Sequence, residues 1–325
     1  MHLKHNPFPF LFAKGDTVTE LACLEFFELE DSPVARDCLL RIIRHQRSDG
    51  AFPSQLDATQ WGMRETVRNT LLLLRVGFPP VGRNVQNAVR FILRQQRQDG
   101  GWCENPALTL PPDQTWLSAR RSITWLTVDA IDLLRQVGMG TSPACQAALS
   151  WLRTVQDPDG GWPSLAPEAG EPAAPADADA TAQVTFLMGE VHGEDDPVYQ
   201  RGRESFERHL DGCARDAARG YTIRVRDGER SPLDAYHLTH LLLSWSLDPP
   251  RRFQSGFDTA DPRVRSMMQA LLEIQRQDGG WRPFFSQESS PVYTLLAVKA
   301  LILSGMLSRE DLRPSVERHT VSREG

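Results

Sequence analysis

A seven-residue pattern, Gln-x-x-Asp-Gly-x-aromatic, occurs four times in this 325-residue chain: Gln46-Arg-Ser-Asp49-Gly50-Ala-Phe52, Gln96-Arg-Gln-Asp99-Gly100-Gly-Trp102, Gln156-Asp-Pro-Asp159-Gly160-Gly-Trp162 and Gln275-Arg-Gln-Asp278-Gly279-Gly-Trp281. Self-similarity at a period of tens of residues restricts a chain to architectures that repeat one supersecondary unit, each unit burying its apolar face against the next. The fourth copy follows the third at about twice the usual interval, so a degenerate copy is expected between them. Gly220-Tyr221, after the helical stretch 197–210, is read as its remnant.

Before each motif the apolar residues follow helical spacing on one side only. Cys38, Leu39, Ile42 and Ile43 do so ahead of the first, and Val89, Ile92 and Leu93 ahead of the second. After each motif comes a loop and then a more uniformly apolar segment, at 65–77, 122–138, 181–191, 233–247 and 292–305. Residues 17–30 supply one more such segment, capped by Asp16 or Thr17. A helix apolar on most sides is enclosed on most sides, so the pattern predicts half-exposed outer helices alternating with enclosed inner ones. Asp-Gly-Gly ends each outer helix, because glycine tolerates positive φ. Residues from 308 onward add a weak outer helix interrupted by Pro314. The expected fold is all-α: a single (α/α)6 barrel over residues 17–320, preceded by a hydrophobic N-terminal arm, residues 1–16, containing Pro-Phe-Pro-Phe-Leu-Phe. On this reading the 23 glycines and 23 prolines punctuate repeated helix pairs.

Composition removes several function classes. Thirty-six Lys and Arg against 42 Asp and Glu leave a formal charge of −6, without the positive excess that phosphate-backbone binding needs. No nucleic-acid partner is expected. The longest apolar runs, 71–74 and 295–303, fall short of a membrane span. The arm lacks a cleavage pattern, and the five scattered cysteines form no Cys-x-x-Cys pair, which fits reduced thiols and a cytoplasmic location. Neither a glycine-rich phosphate loop, a Gly-x-Ser-x-Gly elbow nor an Asp-Asp-x-x-Asp magnesium motif is found.

The repeat resembles the "QW" repeat of the prenyltransferase and squalene oxidase repeat superfamily, over about residues 17–306. That superfamily includes squalene-hopene and oxidosqualene cyclases, class II diterpene cyclases and protein prenyltransferase β subunits. The resemblance implies the same α/α barrel, with the Gln and Trp as a structural clasp and the working mouth at the N-terminal ends of the inner helices.

At one such end, Pro175-Ala-Asp177-Ala-Asp179-Ala-Thr181-Ala182 resembles the Asp-x-Asp-Asp-Thr-Ala motif of class II cyclases, although Ala180 departs from the squalene-hopene pattern. The resemblance implies a terpene cyclase, an isomerase or lyase that starts cyclisation of an isoprenoid by protonation. Asp179 would be the general acid and Asp177 its support. Protonating an alkene demands a strong acid in a dry pocket, where neighbouring groups tune the proton. The alternative for either aspartate is helix capping.

Asp234-Ala-Tyr236-His237-Leu-Thr-His240 resembles the Asp-x-Tyr-His segment of prenyltransferase β subunits, which implies His237 as a zinc ligand with Asp177 or Asp179. The cysteine of that site is missing, so no metal ligand is assigned, and His237 and His240 are read as polar wall residues that bind substrate. A prenyltransferase-like zinc enzyme and a noncatalytic isoprenoid-binding barrel remain the alternatives. Trp125, Asp129 and Asp132 share one helical face, as a rim for positive charge or as ion-pair partners of Arg120 and Arg121. Tyr236 and Tyr293 add rings whose faces attract cations. Arg224 and Arg226, in a run with Arg215, Arg219 and Arg230, would hold a diphosphate through guanidinium forks. No cofactor is expected beyond Mg2+ accompanying such a diphosphate. The expected partners are an isoprenoid or prenylated small molecule, a second barrel subunit or second copy supplying another wall, and a membrane surface met by the arm.

Overall fold

A computed structural model of the chain describes residues 2–112, 114–167, 175–223, 230–236, 238, 239, 261–310 and 312. Its outer helices are α3 (Pro33–Arg44), α5 (Arg83–Arg94), α7 (Pro143–Thr154), α9 (Pro197–Arg219) and α10 (Pro262–Glu273). The inner helices are α2 (Thr17–Phe26), α4 (Met63–Arg75), α6 (Thr124–Gln136), α8 (Ala178–His192) and α11 (Pro291–Leu303), and α1 (Phe8–Lys14) precedes them. Among the described residues two short antiparallel pairs sit in loops: β1 (Phe52–Pro53) with β2 (Trp61–Gly62), and β3 (Tyr221–Ile223) with β4 (Arg230–Pro232). The expected contrast between helix types is present. α6 buries every residue from Thr124 to Leu134 and α8 every residue from Asp179 to Met188, whereas α5 buries only the stripe Val85, Ala88, Val89, Phe91 and Ile92. Among the described residues no helix is long and apolar enough to cross a membrane.

Contacts divide the chain into two compact units, residues 39–206 and residues up to 38 together with those from 207. The divisions fall inside α3 and α9 rather than in a linker.

Within 39–206, α4 packs on α6 and α6 on α8, with α5 behind α4 and α7 behind α6. The motif fastens them. Gln46 Nε2 donates to Gly50 O and to Asn84 O at the start of α5, both at 2.9 Å. Gln96 reaches Gly100 O and Ala144 O of α7, and Gln156 reaches Gly160 O and Val198 O of α9. The fully buried indoles of Trp102 and Trp162 donate back to Ile92 O and Leu152 O of the helices they follow, at 2.9 and 2.7 Å. Gly100 turns the chain at φ +99, where a Cβ would lie 2.6 Å from Ala147 O, so glycine is required on both counts.

The other unit repeats the clasp with a different partner. Gln275 Nε2 donates to Gly279 O and His5 O, while its Oε1 accepts from the Lys4 and His5 N–H groups at 2.9 and 3.1 Å. The segment leading into α1 thus takes, against the fourth motif, the place that the next outer helix takes against the first three. Within the segment expected as an arm, residues 8–14 form α1. The prolines that interrupt the apolar stretch sit at the helix start, at the N-cap and second position, where proline is tolerated. Phe8, Leu11 and Phe12 then bury one face against α2 and α11. α9 also runs further than the expected 197–210, ending at Gly220 with φ +73 before the β3–β4 pair. The second half of the fifth inner segment lies outside the described residues, as does nearly all of the final outer helix.

Candidate active site

One hydroxyl sets the register of the inner helices. The N–H of the motif aromatic donates to the fourth residue of the following inner helix: Phe52 to Thr66, Trp102 to Thr127, Trp162 to Thr181 and Trp281 to Thr294, at 3.0–3.1 Å. Thr181, matched above to the tail of the acid motif, is therefore also the repeat's own clasp residue. Counted from these threonines, Arg64, Trp125 and Asp179 occupy equivalent positions on α4, α6 and α8. One turn further the equivalent residues are Arg68, Asp129 and Gln183.

The two aspartates of α8 do different things. Asp177 is the N-cap, and its Oδ1 accepts the N–H groups of Asp179 and Ala180, both at 3.0 Å. Its own N–H donates to Trp162 O at 2.8 Å, tying the first turn of α8 to the third motif. Asp179 is the second residue of α8 and 8% exposed, and its Oδ1 accepts from Gln183 Nε2 at 3.3 Å. Capping thus occupies Asp177 and leaves Asp179 as a buried carboxyl on the side of the helix.

On α6, Asp129 is 1% exposed and accepts from Arg68 Nε of α4 at 3.3 Å. The same guanidinium lies 4.7 Å over the Trp125 ring, so this aromatic face already carries a cation. Asp132 pairs with Arg135 one turn on, and Arg135 also binds Glu190 of α8 at 2.8 Å. Pairing is what buried carboxylates on an enclosed helix require. Of the other rings, Trp61 meets Phe91 edge-on at 5.1 Å and Phe186 meets Phe206 at 5.7 Å, both as packing contacts.

A second acidic pair, not anticipated from the sequence, closes the N-terminus of α4. Gly62 offers no capping side chain there, and Glu104 Oε2 accepts the Met63 N–H at 3.0 Å. Glu65 Oε1 accepts from Arg64 Nη2 at 2.7 Å. Burial, and then the neighbouring Glu65 charge, push the Glu104 carboxyl above its ordinary value. The available signal was Glu65 at the third helical position, a capping-box site. Glu104 lies in a loop with no periodicity to mark it.

In the other unit, Tyr236 and Tyr293 are in contact with the rings of Phe284 and Phe285. Successive centroids are 5.0 Å (Tyr236–Phe284), 5.1 Å (Phe284–Phe285), 5.8 Å (Phe285–Tyr293) and 6.2 Å (Tyr293–Tyr236). The two phenylalanines come after Arg282-Pro283, just beyond the fourth motif, a position that the helical pattern does not reach. His237, His240, Arg224 and Arg226 lie outside the described residues. Among the described residues no group of three His, Cys, Asp or Glu could hold a metal ion.

Helix pairs fastened by glutamine and tryptophan, with buried acids at the N-terminal ends of the inner helices, define a protein of the α/α toroid class. The chain belongs to the prenyltransferase alpha-alpha toroid domain family, whose model matches residues 108–324, and the squalene-hopene cyclase C-terminal domain model matches residues 14–166. Among solved structures, the type II terpene cyclase MstE from Scytonema, in its apo form, is similar over 89% of this chain and 86% of its own, with a TM-score of 0.56 and 15% identity. ent-Copalyl diphosphate synthase from Streptomyces platensis is similar over 89% of this chain and 50% of its own, with a TM-score of 0.55 and 17% identity. A family 76 glycoside hydrolase from a bovine Bacteroides thetaiotaomicron strain is similar over 90% and 69%, with a TM-score of 0.54 and 12% identity. At these identities the likeness establishes the fold, and a fold alone does not set the chemistry. No curated protein matches the chain.

Proposed function

We propose that the protein is a class II-type terpenoid cyclase in which Asp179 protonates an alkene or epoxide of an isoprenoid chain. The observation that carries this reading is the division of labour on α8: Asp177 spends its carboxylate on the helix end, and Asp179 remains as a buried carboxyl just inside it. A buried carboxylic acid keeps its proton away from water until an acceptor arrives, and a fixed first turn holds that proton in one place. The cation formed by proton transfer closes rings and is discharged by losing a proton from carbon. The product is then an isomer of the substrate, and any diphosphate is left intact.

Two MstE structures carry geranylgeranyl dihydroxybenzoate as substrate and merosterolic acid A as product, which makes prenylated aromatics the first substrate class to test. This chain spans 86% of the apo MstE chain, so a cyclase of this length has a precedent in fold. Within residues 39–206 we assign substrate binding to Trp125 and Asp129 beside Arg68; Tyr236 and Tyr293 are separate candidates in the other unit, and His237, His240, Arg224 and Arg226 stay candidates from sequence. The test incubates wild type and Asp179→Ala with geranylgeranyl dihydroxybenzoate, farnesyl and geranylgeranyl diphosphates and squalene, and follows cyclised isomers by mass spectrometry. Product from wild type alone is expected. Equal product from both proteins would end the assignment.

A further inference from the structure

Gln183 lies one helical turn beyond Asp179 on α8 and is 6% exposed. Its amide has two ends in unequal circumstances. Nε2 stands 3.3 Å from Asp179 Oδ1, at the long end for N–H···O, while Oε1 is buried with no donor among the described residues. An acceptor buried without a donor loses its hydration and gains nothing in return. The two ends of a glutamine amide have nearly the same shape, and a half-turn about the last torsion exchanges them.

That half-turn changes the balance once Asp179 carries a proton. A neutral carboxylic acid is a donor, and an amide oxygen turned toward it accepts the O–H, removing the orphan. The nitrogen is then directed away from Asp179. On α6, which packs against α8, the residue in register with Gln183 is Asp129, whose carboxylate is held at Oδ2 by Arg68 and which suits an N–H donor.

We propose that Gln183 is a positioning residue for Asp179: its Oε1 accepts the Asp179 proton, and its Nε2 is turned toward the Asp129 carboxylate. Asp179 is thereby aimed by a side chain one turn away. Among the described residues, the charged groups on α8 and on α6, which packs against it, include Asp177, taken up in the cap, and Asp129 and Asp132, which pair with Arg68 and Arg135. The role of Asp179 as acid rests on the function proposed above, whereas the direction of the hydrogen bond does not.

The two orientations predict opposite signs. An amide oxygen that accepts from the acid favours the protonated form, and an amide nitrogen that donates to the carboxylate favours the ionised form. The Asp179 titration is read from the carboxyl 13C resonance of aspartate-labelled protein, assigned by its loss in Asp179→Asn. Gln183→Met, close in volume and without hydrogen-bonding capacity, is expected to lower the midpoint by about one pH unit. A rise, or no movement, would overturn the proposal. If Gln183→Met does not fold, a neutron structure of the wild-type protein gives the same answer: deuterium on the Asp179 oxygen supports it, and deuterium on a Gln183 nitrogen pointing at Asp179 refutes it. The pH profile of kcat/KM should shift with the midpoint. Should Asp179→Ala keep full product formation while the midpoint still falls, the hydrogen bond stands and the cyclase acid is elsewhere.

Discussion

Glu104 closes the N-terminus of a helix to which it does not belong: its Oε2 accepts the Met63 N–H at 3.0 Å, with 41 positions of chain between them. The carboxyl is buried there beside Glu65, and both circumstances raise its pKa from the ordinary 4.5. A folded-state pKa above the unfolded one means that the native state binds the proton more tightly. The associated stability is present at low pH and is lost as pH rises from about 4.5 through the folded value. Glu104→Gln keeps an oxygen for Met63 without the ionisation. Its stability relative to wild type should improve between pH 4.5 and 7.5, measured by urea unfolding. Glu104→Ala removes the cap and should cost about 1–2 kcal/mol near pH 4.5, the cost shrinking as pH rises and the wild-type carboxyl ionises.

The Arg68–Asp129 pair is unequal: Asp129 is 1% exposed, whereas the Arg68 side chain is 53% exposed. Removing the arginine leaves a buried charge short of a partner, but removing the aspartate leaves a guanidinium that can turn to water. Arg68→Met should therefore cost about 1–3 kcal/mol, and Asp129→Asn less. A double variant no worse than Arg68→Met alone is the expected result of the cycle. Equal costs for the two single substitutions would contradict the asymmetry.

Gln275 holds the start of the chain through Lys4 N, His5 N and His5 O, and Lys4 Nζ adds Glu273 O. Gln275→Ala should speed amide exchange at residues 4–15 by one to two orders of magnitude, about 1–3 kcal/mol of local opening. Exchange in α4 to α8 should stay as in wild type. Uniform acceleration across both units would mean that the clasp acts on global stability instead.

These three relationships differ in how far they can be read from the amino-acid order. Gln275 was visible as a clasp because its motif is a local string, and the positive φ of its glycine is demanded by the same string. Its partner was not visible, because the Pro-Phe-Pro-Phe segment shows only that a short apolar stretch exists, not which surface 270 residues away receives it. Asp129 and Trp125 were legible as one helical face through their spacing. Arg68 was missed as the third member, since register between helices depends on the threonine that each motif aromatic engages. Glu104, Phe284 and Phe285 lie in loops, where no period links a residue to its neighbours in space. Asp177 and Asp179 were recognised together, but capping geometry was needed to tell them apart.

That distinction yields the sharpest functional prediction. Asparagine is as good an N-cap as aspartate, so Asp177→Asn should keep its acceptor for the Asp179 and Ala180 N–H groups and leave α8 in place. It should retain cyclisation within a few-fold of wild type and lose less than about 0.5 kcal/mol. Asp177→Ala exposes both N–H groups, costs about 1 kcal/mol, and should depress turnover about tenfold by letting the first turn drift. Asp179→Asn preserves shape but has no proton to give, so it should fold with wild-type stability and form at least a thousandfold less product, about 4 kcal/mol in barrier. Unfolding curves and product analysis on the three variants separate the roles. If Asp177→Asn is as inactive as Asp179→Asn, Asp177 takes part in the chemistry and its capping bonds are incidental.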